Sequence, residues 1–298
     1  MIAQSLIDKA RLEILPGAFY LVATPIGNLA DVTLRALATL AAADVVCAED
    51  TRVTRKLLAL YGLDKETVSV REHNEAAMAE RVCAWLGEGK VVAMACDAGT
   101  PGICDPGARV ARAARAQGHR VVAIPGPSAA VTALCVAAVD SESFRFLGFL
   151  PPKAKERERA LQSMCASGEC AVFYESPHRI KDTLKQLAPL AGDRPLTLAR
   201  ELTKAFETVV ESTAGDLARL LDEQPLQAKG EMALVLHPAA KKALGGGEDA
   251  KIRAEKLAQT LAREGGASAK TIAVVLRETL GMAKNEAYAI ALGAARDR

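Results

Sequence analysis

The residues of this chain whose types and spacing invite chemistry fall in four short runs, each following a stretch of apolar residues. They are Thr24-Pro25-Ile26-Gly27-Asn28, Ala48-Glu49-Asp50-Thr51-Arg52, Cys96-Asp97-Ala98-Gly99-Thr100-Pro101-Gly102 and Ile124-Pro125-Gly126-Pro127-Ser128-Ala129. Glycine and proline at such places let the main chain approach a ligand closely, and Glu49, Asp50 and Asp97 set carboxylates beside it. Taken singly, each run reads as a turn, and a carboxylate before a helix, such as Asp50 or Asp31, is ordinarily a cap. Four runs opening on one side argue instead for a binding site at the carboxyl ends of parallel strands. The glycine spacing matches neither G-x-G-x-x-G nor G-x-x-x-x-G-K, which disfavours dehydrogenases and P-loop nucleotide hydrolases.

The elements that position these runs alternate. Strands are expected at 18–23, 44–48, 91–96 and 120–124, and helices at 51–61, 78–87 and 108–117, with Leu34, Leu37 and Leu40 marking another. This alternation predicts a mainly parallel sheet covered by helices on both faces. A small-residue helix, 128–139, closes a first α/β domain spanning 18–141, preceded by an N-terminal tail, 1–17. A second α/β domain, 142–238, is expected to hold strands at 144–149, 171–174, 196–200, 206–212 and 232–236, with helices at 161–166, 179–187 and 214–222. The stretch 196–212 is short enough to be an antiparallel hairpin. Residues 151–159 read as a polar loop, either solvated or touching RNA. Gly245-Gly246-Gly247 reads as a flexible linker within 239–249. Helical patterns at 252–264, 269–280 and 284–292, separated by glycines, make 250–298 a small helix-turn-helix-like module.

Composition bounds the function. Half of the residues are hydrophobic and 25% are charged, the usage of a globular protein with large cores. The apolar runs 91–96 and 129–139 are too short to span a bilayer, and the charged residues Asp8, Lys9, Arg11 and Glu13 rule out a signal-peptide core. A cytoplasmic protein without membrane contact is expected. The seven cysteines are odd in number, lack a C-x-x-C pair and have no histidine at ligand spacing, so they read as reduced, buried thiols, and no metal is expected. Net charge is +2, yet residues 240–298 hold eleven Lys and Arg against seven acids. Such a basic end can help attract a nucleic acid, although on charge alone a solvated helix face is the better reading. Aromatic residues are scarce, which argues against a platform that stacks several bases.

The runs above, together with Glu72-His73-Asn74-Glu75, Tyr174-Glu175-Ser176-Pro177-His178-Arg179, Arg200-Glu201-Leu202-Thr203-Lys204 and Lys229-Gly230-Glu231, resemble in order and spacing the ribosomal RNA small subunit methyltransferase I family. The resemblance extends over roughly residues 18–236. It implies a two-domain α/β, tetrapyrrole methylase-like fold with a small helical C-terminal extension. The activity it implies is methylation of the ribose 2′-oxygen of a decoding-centre cytidine in 16S ribosomal RNA, with S-adenosylmethionine as methyl donor. Its implied partner is 16S RNA within the assembled small ribosomal subunit, and a homodimer is expected. By matching motifs, Pro25, Asp97, Ala98, Gly99, Thr100, Ser128 and Ala129 would line the donor site from the first domain, and Tyr174, Leu202 and Gly230 from the second. Cys96 and Cys104 stand where the family pattern leads one to expect serine, a departure that bears on hydrogen bonding at the site.

Methyl transfer to a hydroxyl is an in-line displacement from a cationic sulfur, so the protein's tasks are positioning and removal of the hydroxyl proton. Glu49, Asp50, His73, Glu175 and Glu201 are the candidate bases and orienting groups. Arg52, Arg55, Arg179 and Lys204 are candidates for gripping phosphate or polarising the ribose. Glu201 and Lys204 also read as a plain surface pair. His178 reads as a capping or packing residue, and His119 and His237 as structural or exposed. Two other functions fit the same elements: a small-molecule, tetrapyrrole-type methyltransferase, since fold does not fix substrate, and a non-catalytic RNA-binding ribosome factor.

Overall fold

The computed structural model of the protein describes residues 2–224, 228–239 and 248–296. The chain divides into two compact units, Met1–Pro238 and Ala239–Arg298. The first opens with helix α1 (Ile2–Leu12), so the segment read as a tail contains a helix, which packs beside α2 (Leu34–Ala42). Strands and helices then alternate: β1 (Ala18–Val22), α2, β2 (Val45–Ala48), α3 (Thr51–Leu60), β3 (Thr67–Ser69), α4 (Glu75–Gly87), β4 (Val92–Ala95), α5 (Ala108–Ala116) and β5 (Arg120–Ile124). All five strands are parallel, in the order β3-β2-β4-β1-β5.

Strands β2 and β4 are buried along their whole length, which is why they read as unbroken apolar runs rather than alternating ones. Successive side chains still go to opposite faces. Phe19 and Cys47 pack with Trp85 and Leu86 on one side of the sheet, while Tyr20, Val22 and Val46 pack with Leu40 and Leu58 on the other. Caps fix where helices begin. The Thr33 hydroxyl accepts the Ala36 amide at α2, and Asp50 accepts the Arg52 amide at α3, as a cap-type reading of Asp50 requires. Glu75 performs the same service at a distance: its Oε1 accepts the amides of Gly107 and Arg109 at 2.9 Å each and closes the start of α5.

Helix α6 (Ala129–Ala137) follows β5 and lies on a second sheet, where Ala130, Ala133 and Ala137 pack with Val172, Ala199 and Val235. That sheet is built from β6 (Arg145–Phe149), β7 (Ala171–Glu175), β8 (Leu196–Arg200), β9 (Thr208–Ser212) and β10 (Met232–Leu236), in the order β6-β7-β10-β8-β9. Only β6 and β7 are parallel, and β8 and β9 form the expected antiparallel pair. Helices α7 (Ala154–Ser167), α8 (Ile180–Ala191) and α9 (Ala214–Glu223) enclose the core of Leu161, Phe173, Leu184 and Leu217. The polar stretch 151–159 is mostly the first turns of α7 and not a loop. Arg157 there is buried, donating to Gln186 Oε1 at 3.1 Å and to the Pro152 carbonyl at 3.2 Å, so its charge serves packing.

The second unit consists of α10 (Glu248–Arg263), α11 (Ala269–Leu280) and α12 (Lys284–Arg296). Their core is largely alanine, including Ala254, Ala258, Ala262, Ala287 and Ala291 around Ile272 and Leu276. Ser268 caps α11, and Gly281, at φ 62°, ends it in the left-handed conformation that glycine tolerates best. The glycines read as a linker, 245–247, lie outside the described residues. No helix among the described residues is long and apolar enough to cross a membrane.

Candidate functional site

Adjacent strands β2, β4, β1 and β5 deliver their following loops to one edge of the first sheet. Two of these loops are bonded as a short ladder: the Thr24 amide donates to the Gly99 carbonyl at 2.8 Å, and the Gly99 amide returns to the Thr24 carbonyl at 3.0 Å. Thr24 also donates its hydroxyl to the Cys96 carbonyl, and Thr100 donates to the Pro127 carbonyl, each at 3.1 Å. Gly99 takes φ +82°, a conformation costly for any residue with a Cβ. The three loops after β1, β4 and β5 are thereby locked together.

They form one wall of a cleft of about 410 Å³ whose opposite wall is the second sheet. From the sequence-derived set, Glu49, Asp97, Ala98, Gly99, Thr100, Ser128, Ala129, Tyr174, Glu175 and Leu202 line this cleft. Asp50, Arg52, Glu201, Pro25 and Gly230 do not. Ile26, Ile103, Cys104, Asp105, Phe149, Pro177, Glu231 and Met232 line it without having been singled out as cleft residues. Asp105 had a readable signal, since Cys104-Asp105-Pro106-Gly107 repeats the pattern of Cys96-Asp97-Ala98-Gly99 eight residues on.

The first wall carries free acid. Among the described residues, Glu49, Asp97 and Asp105 form no salt bridge. Burial raises the Glu49 carboxyl above its usual range, and the neighbouring charges of Asp105 and Asp97 add to this. Asp105 is raised by burial and by Asp97, partly offset by the Cys96 thiol that donates to it. The same burial, with Asp105 beside it, pushes the Cys96 thiol far up, so this sulfur stays protonated. Asp97 Oδ1 accepts the Asp50 amide at 3.1 Å, tying the loop after β4 to the start of α3. Asp50 itself turns away to Arg52, and that contact holds its carboxyl far below the usual range. Arg52 remains 81% exposed at the rim.

The second wall is apolar and its acids are engaged. Tyr174 meets Phe146 and Phe149 edge-to-face, with ring centroids 5.2 and 5.4 Å apart, and burial pushes its hydroxyl up to about 12. Glu175 has a fully buried side chain whose Oε1 accepts the Ser176 amide at 2.8 Å and pairs with Arg179 at 2.6 Å, while Oε2 accepts the Thr183 hydroxyl at 2.7 Å. Both oxygens are occupied, and this geometry makes Glu175 and Arg179 a brace between β7 and α8. Lys204 bridges Glu201 and Glu231 at 2.9 Å each. The Glu231 amide and Lys204 hold the Glu201 carboxyl below its usual range. Gly230 explains itself here, because a Cβ on it would lie 2.6 Å from Glu201 Cγ. Arg55 donates to Thr67 at 2.6 Å, joining α3 to β3 away from the cleft, and His73 is exposed outside it. His237 bonds Thr197 at 2.8 Å at the far end of the second sheet. The cysteines are free, but Cys104 and Cys135 are exposed where burial was expected. Among the described residues, no cluster of three or more His, Cys, Asp or Glu has the arrangement to hold a metal ion.

Residues 18–218 match the family of tetrapyrrole (corrin/porphyrin) methylases. The chain is 50% identical over 236 residues to a protein of Neisseria meningitidis serogroup B named ribosomal RNA small subunit methyltransferase I, covering 79% of this chain and 81% of that one. It is 40% identical over 279 residues to the protein of the same name from Haemophilus influenzae, covering 93% and 97%. Among solved structures, it resembles a diphthine synthase (TM-score 0.57, 15% identity, 74% of this chain and 90% of that one) and a cobalt precorrin-4 methyltransferase (TM-score 0.54, 20% identity, 74% and 94%), likenesses of fold.

Proposed function

Because the chain belongs to the ribosomal RNA small subunit methyltransferase I family, on the tetrapyrrole methylase fold, we propose that it methylates the ribose 2′-hydroxyl of a decoding-centre cytidine in 16S ribosomal RNA, using S-adenosylmethionine. The reading includes a cytoplasmic homodimer acting on the small ribosomal subunit. One observation supports the donor above others: the cleft sets carboxylates free of cationic partners on one wall against an apolar wall on the other. A ligand with a positive sulfur, an ammonium group and a flat adenine fits that division, the cations toward the acids and the ring toward Leu202, Phe149 and Tyr174. Bound there, S-adenosylmethionine supplies a methyl group on a sulfur that leaves without further activation.

The chain's own residues do the rest. Main-chain groups of Asp97, Ala98, Gly99 and Thr100, with Ser128 and Ala129, hold the donor in the locked loops. Pro25 shapes the loop after β1, and Gly230 lets Glu201 close beside the second wall. Of the candidate bases, Glu49 combines a place in the cleft with a raised proton affinity, so it accepts the ribose proton. Asp50 is held by Arg52, Glu175 by Arg179 and Glu201 by Lys204. Arg52, exposed at the rim, meets a phosphate of the RNA. Mapping ribose methylation of 16S RNA by mass spectrometry, after incubating unmethylated small subunits with protein and donor, tests the reading. A single new 2′-O-methylcytidine supports it, and unmodified RNA beside a donor-binding protein rejects it.

A further inference from the structure

The loop joining β8 to β9, residues 201–207, starts in the cleft at Leu202 and carries Phe206 outside it, 76% exposed. Exposed side chains generally sit on compliant loops, but this one is bound at nearly every residue. The Lys204 amide donates to the Glu201 carbonyl at 3.0 Å and the Glu207 amide to the Lys204 carbonyl at 3.1 Å, making two successive turns. Glu207 Oε2 accepts the Thr203 amide at 2.5 Å, and Arg200 Nη2 holds the Phe206 carbonyl and the Thr208 hydroxyl at 3.1 Å each. From the first sheet, the Asn28 amide donates to the Thr203 hydroxyl at 3.0 Å, and a Cβ on Gly27 would meet Lys204 Cγ at 2.5 Å.

This anchoring is costly. Glu201 and Thr203 take φ +51° and +68°, and Arg200 Nε is buried without a hydrogen-bond partner. Strain of this kind persists where the surroundings over-determine it, and it clusters at binding and catalytic sites. What the strain delivers is a fixed backbone under one aromatic ring in water, beside the cleft. A single ring flanked by Lys204, Ala205 and Glu207 is far smaller than the roughly 800 Å² per partner of a stable protein interface. It matches the face of one nucleobase, and a pre-positioned ring loses little freedom on stacking.

We propose that Phe206 is a stacking surface for a base neighbouring the nucleotide held at the cleft, an inference that rests on the RNA reading given above. The test uses full-length protein and purified unmethylated small subunits, with donor affinity measured by calorimetry, subunit affinity by sedimentation, and methylation kinetics. Phe206→Ala should leave donor affinity and melting temperature as in the parent, weaken subunit binding and raise the KM for subunits by about tenfold, and leave kcat within twofold. Phe206→Trp should restore both RNA parameters. Unchanged subunit binding and KM in Phe206→Ala would overturn the proposal, as would a change of oligomeric state in that variant, which would assign the ring to a second copy of the chain. Failure of the parent protein to methylate subunits would reject the RNA reading itself, a result distinct from either.

Discussion

The two walls of the cleft hold similar numbers of acids but use them in opposite ways. On the first wall, Glu49, Asp97 and Asp105 sit in loops fastened by main-chain bonds such as Thr24 to Gly99, and among the described residues none of the three forms a salt bridge, Arg71 and Arg52 acting on Glu49 and Asp97 only from a distance. On the second wall, Glu175 and Glu231 are paired with Arg179 and Lys204, the latter also held by Glu201 just outside the cleft, and these side chains do the fastening themselves. Where the backbone supplies the architecture, side chains are released for a ligand. Where side chains supply it, mutation reads out as stability.

The largest expected effect breaks the second wall. Glu175→Ala removes the acceptor of the buried Thr183 hydroxyl and the partner of Arg179, which is 24% exposed and keeps its bonds to Ser176 and Leu150, so a loss near the lower end of the about 3–5 kcal/mol of a broken buried pair is expected. Urea denaturation should show that loss, and a drop of less than about 1 kcal/mol would mean the brace is not structural. The first wall should respond to Gly99→Val and Asp97→Ala in donor affinity instead. Gly99→Val forces a β-branched residue into φ +82° at the cleft, and a loss of about a hundredfold in affinity is expected, equal to about 2.7 kcal/mol. Asp97→Ala should cost about tenfold, or about 1.4 kcal/mol, with stability lowered by only about 1 kcal/mol through loss of the exposed bond to the Asp50 amide. Calorimetry on folded variants decides both, and unchanged affinity in the pair would remove this loop from the donor site.

A smaller effect separates charge from shape. The fold raises the pKa of Glu49 and Asp105 above the usual 4.5 and 3.8, so it favours their protonated forms. Their contribution to stability is therefore full below those values and is lost as pH rises through the folded-state values. At pH 7.5, Glu49→Gln should raise the melting temperature by about 1–2 °C, the gain being limited because the group is partly solvated. In the parent, methylation should rise with pH through the raised Glu49 value, and in Glu49→Gln that limb should vanish with a much lower rate. A melting point that falls instead would contradict the assignment of an unpaired, desolvated acid. The smallest effect concerns donor binding after removal of 239–298, which should be nil. RNA binding should weaken severalfold at low salt, with a shallower salt dependence and a gap to the parent that narrows as salt rises, given the excess of Lys and Arg in that segment. Unchanged RNA affinity with a lowered melting temperature would leave only a structural role.

Strand-end loops were legible because parallel strands buried on both faces leave continuous apolar runs, and the residues that end them stand out. β3 was not, since Thr67-Val68-Ser69 offers three residues and only one strongly apolar side chain. The start of α7 was hidden because its first turns are nearly all charged, and nothing in the local pattern shows that Arg157 turns inward to Gln186. Glu49, Asp50, Glu175 and Glu201 looked equivalent in sequence. What distinguishes them is which cation lies within reach: Arg179 stands four residues beyond Glu175 and Lys204 three beyond Glu201, but the second pairing of Lys204, with Glu231, is a tertiary property. Asp105 was overlooked although its tetrapeptide echoes that of Asp97, because the loop's return into the cleft depends on Cys104 adopting φ +64°.

The order of the first sheet also sets a schedule for the growing chain. β1 lies between β4 and β5, pairing Phe19 with Val92 and Val22 with Ile124. Neither neighbour exists when β1 is made, and at the roughly 5–20 residues per second of synthesis the strand waits on the order of 5–20 s for the last of them. During that interval Ala18, Phe19, Tyr20, Leu21 and Val22 present an apolar segment with both edges unpaired. A nascent chain halted before Ile124 should thus be a stronger chaperone substrate at this segment than one in which β5 is complete.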